Sequence, residues 1–153
     1  MAKSKGKSPT KVLLPYDRAL RIARRAGKPT EKAYDLLLEA NLAGDPRAAY
    51  ALATWHLFGS PFTPINYKKA FKLLKVAAAA NISEAVYALG VSYERGAGVT
   101  KSEKNAFVSY MHAALLGNAE AHYAVGKMYY HGLGTTRNRQ LAGYWLDKAD
   151  VKY

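Results

Sequence analysis

Four histidines, eleven carboxylates and no cysteine are what this chain offers for catalysis or metal binding. His56, His112, His122 and His131 form no i, i+4 pair around a glutamate, the spacing that turns one helix face into a zinc site. Without cysteine, no thiolate can complete a ligand set. The glycine-rich runs ERGAG (from Glu94) and HGLG (from His131) lack the Lys-Ser/Thr and the preceding strand of a phosphate-binding loop. No Ser-His-acid grouping and no working pair of carboxylates can be argued from the spacing. The sequence therefore assigns no catalytic, cofactor-binding or metal-binding residue, and the chain is read as a non-enzyme without a cofactor.

Tyrosine is the side chain placed with regularity. Tyr50, Tyr87 and Tyr123 lie 37 and 36 residues apart, inside AAYALATWHLFG, AVYALGVSYERGAG and AHYAVGKMYYHGLG. A period of about 20 to 50 residues marks a solenoid, whose units bury their apolar faces only by stacking on neighbours. The elements that carry the tyrosines follow from the same period. Each unit reads as a helix of about a dozen residues, a glycine-bearing loop, a second helix and a short turn ending in Gly or Asn. Ala70, Ala106 and Ala142 align in the second helices, as do Ala77, Ala113 and Ala149. The loops align Gly59, Gly96 and Gly132, then Gly98 and Gly134, where the first unit has Pro61. His56 falls where later units have tyrosine, so it is expected to be packed and hydrogen-bonded. Glu84 and Glu120 occupy equivalent sites near helix N-termini, where they complement the dipole.

Residues 1–12 read as a disordered basic arm, and 13–44 as a divergent helix pair that caps the row. Three repeats follow at 45–81, 82–117 and 118–153, the last including the C-terminal end. Within the cap, Pro15 precedes an amphipathic helix that Gly27 stops, and Thr30 starts a helix over 31–43. Asp45-Pro46 opens the next one, with proline where a missing N–H costs nothing. The net charge of +12 is uneven: residues 1–32 carry ten Lys/Arg against Asp17 and Glu31, a net of +8, and the remainder carries +4. The first thirty residues hold no signal-peptide apolar run, and no stretch approaches the roughly 18 apolar residues of a membrane span. A cytoplasmic location is the expectation.

The pattern resembles the Sel-one-like repeat (SLR) family, relatives of tetratricopeptide repeats. The middle repeat carries it most fully, with Ala85, Leu89, Gly90, Tyr93, Gly96, Gly98, Val99, Ala106, Ala113, Ala114 and Gly117. The last matches at Ala121, Gly126, Tyr129, Gly132, Gly134, Ala142 and Ala149, and the first departs most. The resemblance implies an all-α, right-handed α-solenoid of antiparallel helix pairs with first helices lining the concave surface. It also implies protein interaction: an adaptor, a regulator or an inhibitor of the immunity type.

Placing Leu89 at the centre of the buried stripe puts Tyr87, Val91 and Glu94 on the opposite face at about 100° per residue. Carried through the repeats, the expected partner surface is Tyr50, Leu57, Phe58, Tyr87, Val91, Arg95, Tyr123, Lys127, Tyr130 and His131. Tyrosine suits that role because it offers large contact area at little entropic cost. The basic charge predicts an acidic protein or peptide partner, with Arg18, Arg21 and Arg25 as electrostatic contacts. The alternative is nucleic-acid association through the arm, those arginines and the Lys68, Lys72, Lys75 stripe beside Leu73 and Ala77. A third expectation is self-association through a C-terminal helix over 139–150, where Tyr144, Trp145 and Leu146 end the stack without a further cap.

Overall fold

Every helix but α5 begins where the sequence offers a capping side chain or a proline; α5 follows Ile82, which caps nothing with its side chain. The computed structural model describes residues 13–150; the expected disordered arm, 1–12, and the last residues, 151–153, lie outside the described residues. In order the helices are α1 Pro15–Ala26, α2 Glu31–Leu42, α3 Pro46–Phe58, α4 Tyr67–Ala79, α5 Ser83–Arg95, α6 Glu103–Leu115, α7 Ala119–His131 and α8 Arg139–Lys148. Thr30 Oγ1 accepts the Ala33 amide at 3.2 Å, and Asp45 Oδ1 accepts the Arg47 amide at 3.0 Å. Asn66, Ser102, Asn118 and Asn138 do the same for α4, α6, α7 and α8 at 2.9–3.1 Å. These caps satisfy donors that the helix itself leaves open. Helix α8 ends two residues short of the expected span, because Asp150 turns the chain at φ 55.

Strong packing joins only consecutive helices, so the described residues form an all-α solenoid of four helix pairs rather than a closed bundle. Among them the sole extended pairing is an isolated bridge, Ser60 to Thr63, in the loop of the first repeat. One apolar cluster runs through α3 to α8 and a second holds α1, α2 and the start of α3. Leu73 touches both; the fully buried leucine of α4 is its neighbour Leu74, not Leu73.

Within a pair, a small residue on the first helix receives a large one from the second. Gly90 faces Tyr110, whose ring lies 2.6 Å from where a Cβ would stand, and Gly126 faces Leu146. The equivalent positions in the first repeat are Ala53 and Leu74, both fully buried in the same cluster.

Three ties recur from repeat to repeat, the first and third between pairs and the second within each pair. Phe71 meets Tyr93 edge-on at 5.4 Å, and Phe107 meets Tyr129 at 5.2 Å. Tyr34 stacks on Trp55 at 5.3 Å, so Trp55 supplies the ring that His56 withdraws. The carbonyls of His56, Tyr93 and Tyr129 each accept the amide of the next helix cap, Asn66, Ser102 and Asn138, at 2.8–2.9 Å. His56 thus has a backbone role in the core, but its Nδ1 is buried without the hydrogen bond expected for it. The third tie is steric. A Cβ on Gly98 would overlap the Tyr67 carbonyl, and one on Gly134 the Glu103 carbonyl; both glycines have positive φ, 74 and 65. Each glycine loop therefore rests on the first residue of the preceding repeat's second helix.

Tyr110 is buried, and its hydroxyl donates to Glu94 Oε2 at 2.6 Å. Burial first, then that carboxylate, hold its ionisation well above the ordinary tyrosine range. An unfolded tyrosine ionises near about pH 10 and this one resists, so its stabilisation is complete below that pH and lost as pH rises above it. Unfolding stability should fall above about pH 10, and Tyr110→Phe should make the fall shallower while costing about 1–3 kcal/mol at neutral pH. Urea titrations across that range measure both. The same assay separates two glycines: Gly90→Ala should cost about 1–3 kcal/mol by crowding Tyr110, whereas Gly143→Ala, with open space around it, should gain about 0.5–1 kcal/mol.

Candidate partner-binding groove

Stacking α5 on the α3–α4 pair leaves a cavity of about 670 Å³ between the first helices, closed at one end by the start of α7. Helix α3 contributes Tyr50, Thr54, Leu57 and Phe58; α5 contributes Glu84, Tyr87, Ala88, Val91, Ser92 and Arg95. Tyr67, at the start of α4, and Asn118 with Glu120, at the start of α7, complete the main lining. Six of the ten residues expected on a partner surface are therefore brought together: Tyr50, Leu57, Phe58, Tyr87, Val91 and Arg95. The other four lie outside this cavity, because α7 lends it only its first turn. Tyr123 is exposed there, and Tyr130 packs near His131 at 5.0 Å, with the Arg139 guanidinium 5.5 Å from the ring.

Tyr87 serves two purposes. Its ring packs 5.3 Å from that of Tyr110, which fixes it, and another part of it faces the cavity. The Tyr50 hydroxyl is held protonated by burial and by the charges of Glu84 and Glu120; Tyr87 by burial, Glu120 and Glu94, against Arg95. Both phenols remain hydrogen-bonding O–H groups at neutral pH. Phe58 is the outlying feature, 80 % exposed at the groove's edge.

The charge distribution differs from what net charge alone leads one to expect. The lining holds two carboxylates, Glu84 and Glu120, against one guanidinium, Arg95. Exposed cations lie elsewhere, as Arg18, Arg21 and Arg25 on α1 and Lys68, Lys72 and Lys75 on α4. At the C-terminal end, Trp145 and Leu146 are buried in the stack, and Tyr144 at 53 % and Leu141 at 39 % exposure are the apolar groups left facing outward. No helix among the described residues is long and apolar enough to cross a membrane.

Sequence reasoning missed Tyr67, Asn118 and the place of the two glutamates on the cavity wall. Glu84 and Glu120 were visible as equivalent positions but read only as helix-dipole partners. Tyr67 reaches the groove through the loop geometry of the first repeat, which periodicity does not encode.

Among solved structures, a Sel1 repeat protein from Oxalobacter formigenes is 33% identical, with a TM-score of 0.72 over 76% of this chain and 88% of that one. A protective antigen of uropathogenic Escherichia coli with an SLR fold is 26% identical, with a TM-score of 0.83 over 89% of this chain and 29% of that one. The Helicobacter pylori cysteine rich protein B shares the fold at 22% identity and a TM-score of 0.59, covering 92% of each chain. No curated protein sequence matches the chain. The Sel1 repeat profile matches residues 46–82, 83–108 and 119–149, and with the repeating contacts above it makes the chain a member of the Sel1 repeat family.

Proposed function

We propose that this chain is a non-enzymatic interaction module that seats a segment of a partner protein in the groove between α3 and α5, as an adaptor, regulator or inhibitor. Sel1 repeats generally mediate protein–protein interaction, and such proteins are typically non-catalytic. The observation that carries the reading is Phe58: a large apolar ring, 80 % exposed, beside a preformed cavity walled by Tyr50, Leu57, Tyr87 and Val91. A rigid wall with an aromatic anchor is what hot-spot binding uses. The acidic complement expected from net charge is assigned to Arg18, Arg21 and Arg25, outside the groove, where it steers encounter. Base stacking on Tyr50 and Tyr87 would draw phosphates toward Glu84 and Glu120, which disfavours nucleic acid in this groove.

Affinity capture of partners with wild type and Phe58→Ala tests the assignment. Truncating an exposed ring should leave the melting temperature unchanged while a groove-bound partner loses about tenfold or more in affinity. A partner retained equally by both proteins removes the groove from the interaction. The steering role has its own readout. Reversing Arg18, Arg21 and Arg25 to Glu should slow association with little change in dissociation, and the difference should shrink as the screening length falls from about 10 Å at 0.1 M salt to about 3 Å at 1 M.

A further inference from the structure

The N-terminal ends of α3, α5 and α7 place Arg47, Glu84 and Glu120 in equivalent positions along one flank of the wall. Arg47 is turned onto its own surroundings. It pairs with Asp45 at 2.7 Å and Asp17 at 3.4 Å, and its guanidinium sits 4.3 Å from the Tyr16 ring centre. Glu84 has only the Ser83 hydroxyl at 3.2 Å, and among the described residues neither Glu84 nor Glu120 has a cation partner. Both glutamates line the cavity, and the charges of both reach the Tyr50 hydroxyl. The opposite flank, at the C-terminal ends of α3 and α5, is Leu57, Phe58 and Arg95.

Resting on the docking role proposed above, we infer that the groove selects a partner segment carrying a lysine or arginine beside an aliphatic or aromatic anchor. The cation lies against Glu84 and Glu120 and the anchor against Phe58, Leu57 and Val91. Charge complementarity sets this choice. An acidic side chain on the glutamate flank would meet two like charges, with the lining's one cation, Arg95, on the opposite flank, whereas an ammonium or guanidinium there pairs with the carboxylates beside a tyrosine face. The chain's overall positive charge does not reverse the preference, because exposed cations elsewhere are screened over about 8 Å at 0.15 M salt while the two carboxylates are in contact. The groove is thus locally opposite in sign to the molecule that bears it.

Fluorescence anisotropy with two labelled peptides of equal length, one alternating leucine with lysine and one leucine with glutamate, tests this on the full chain. Wild type should bind the lysine peptide about tenfold or more tightly than the glutamate peptide at 0.15 M salt. Glu84→Gln/Glu120→Gln, two exposed positions that keep their shape, should abolish the preference. Phe58→Ala should weaken both peptides. Equal binding, a preference for glutamate, or a lysine preference that survives the double substitution overturns the inference. If Phe58→Ala weakens both peptides but no charge preference exists, the docking groove stands and only this inference fails. If neither peptide binds, or Phe58→Ala changes neither, both fail together. Lysine-peptide binding that emerges only after removal of residues 1–12 makes the chain's own arm the occupant, and binding lost with rising protein concentration makes it a second copy. Either result overturns a partner segment.

Discussion

The contact on which the rest depends is backbone against backbone, where Gly98 rests on the start of α4 and Gly134 on the start of α6. A side chain at either glycine would occupy the space of a carbonyl oxygen, so the loop could not descend onto its neighbour. The distance between repeats is set there. Once it is set, the aromatic pairs Phe71–Tyr93 and Phe107–Tyr129 fall at nearly equal separations, 5.4 and 5.2 Å, and the cap amides reach the same carbonyls in each repeat. Small residues on the inner helices are the second half of the constraint. Gly90 and Gly126 admit Tyr110 and Leu146, whose side chains occupy the space a Cβ would need.

A wall built by strict repetition has a polarity that no single residue would show. Equivalent positions lie side by side across α3, α5 and α7, so each row has its own chemical character. The row at the helix starts is Arg47, Glu84 and Glu120; the row at the helix ends is Phe58, Arg95 and His131. Because Arg47 is held by Asp45 and Asp17, the first row is effectively acidic where it borders the cavity. The ion pair is exposed and worth little as stability. Its consequence is electrostatic: it keeps a guanidinium from neutralising the flank.

The solenoid was legible in the sequence because its constraints are local and repeated. Gly27, Thr30 and Asp45-Pro46 mark helix ends that the structure reproduces, and the aligned alanines are buried except Ala149 at the end of the stack. The wall was partly legible. Six of the expected residues meet at the cavity, since a shared register places Tyr50, Leu57, Tyr87 and Val91 on one face with Phe58 and Arg95 beside them. The register could not say where the cavity stops, because that depends on how far α7 advances over α5. Nor could it show Tyr67, which a loop without the glycine pair carries to the groove. Net charge is silent for a related reason: it counts cations without saying that those on α1 and α4 lie away from Glu84 and Glu120.

The first repeat is the poorest match to its family, and that divergence is what gives the groove an anchor. Had it followed the others, position 58 would be a cation like Arg95 or an imidazole like His131, and the wall would end in polar groups. Instead the helix ends in Leu57 and Phe58, and Pro61 replaces the loop's second glycine. The Ser60–Thr63 pairing, closed by their hydroxyls at 2.6 Å, then carries the chain to Tyr67 at the groove's edge. The structural losses are made good nearby, since Trp55 stacks on Tyr34 where His56 gives up a ring and Leu74 fills the width beside Ala53. A repeat that departs from its pattern yet keeps the aromatic stack and the cap-amide bond has changed at its inner edge and its loop. The exposed phenylalanine stands at that edge.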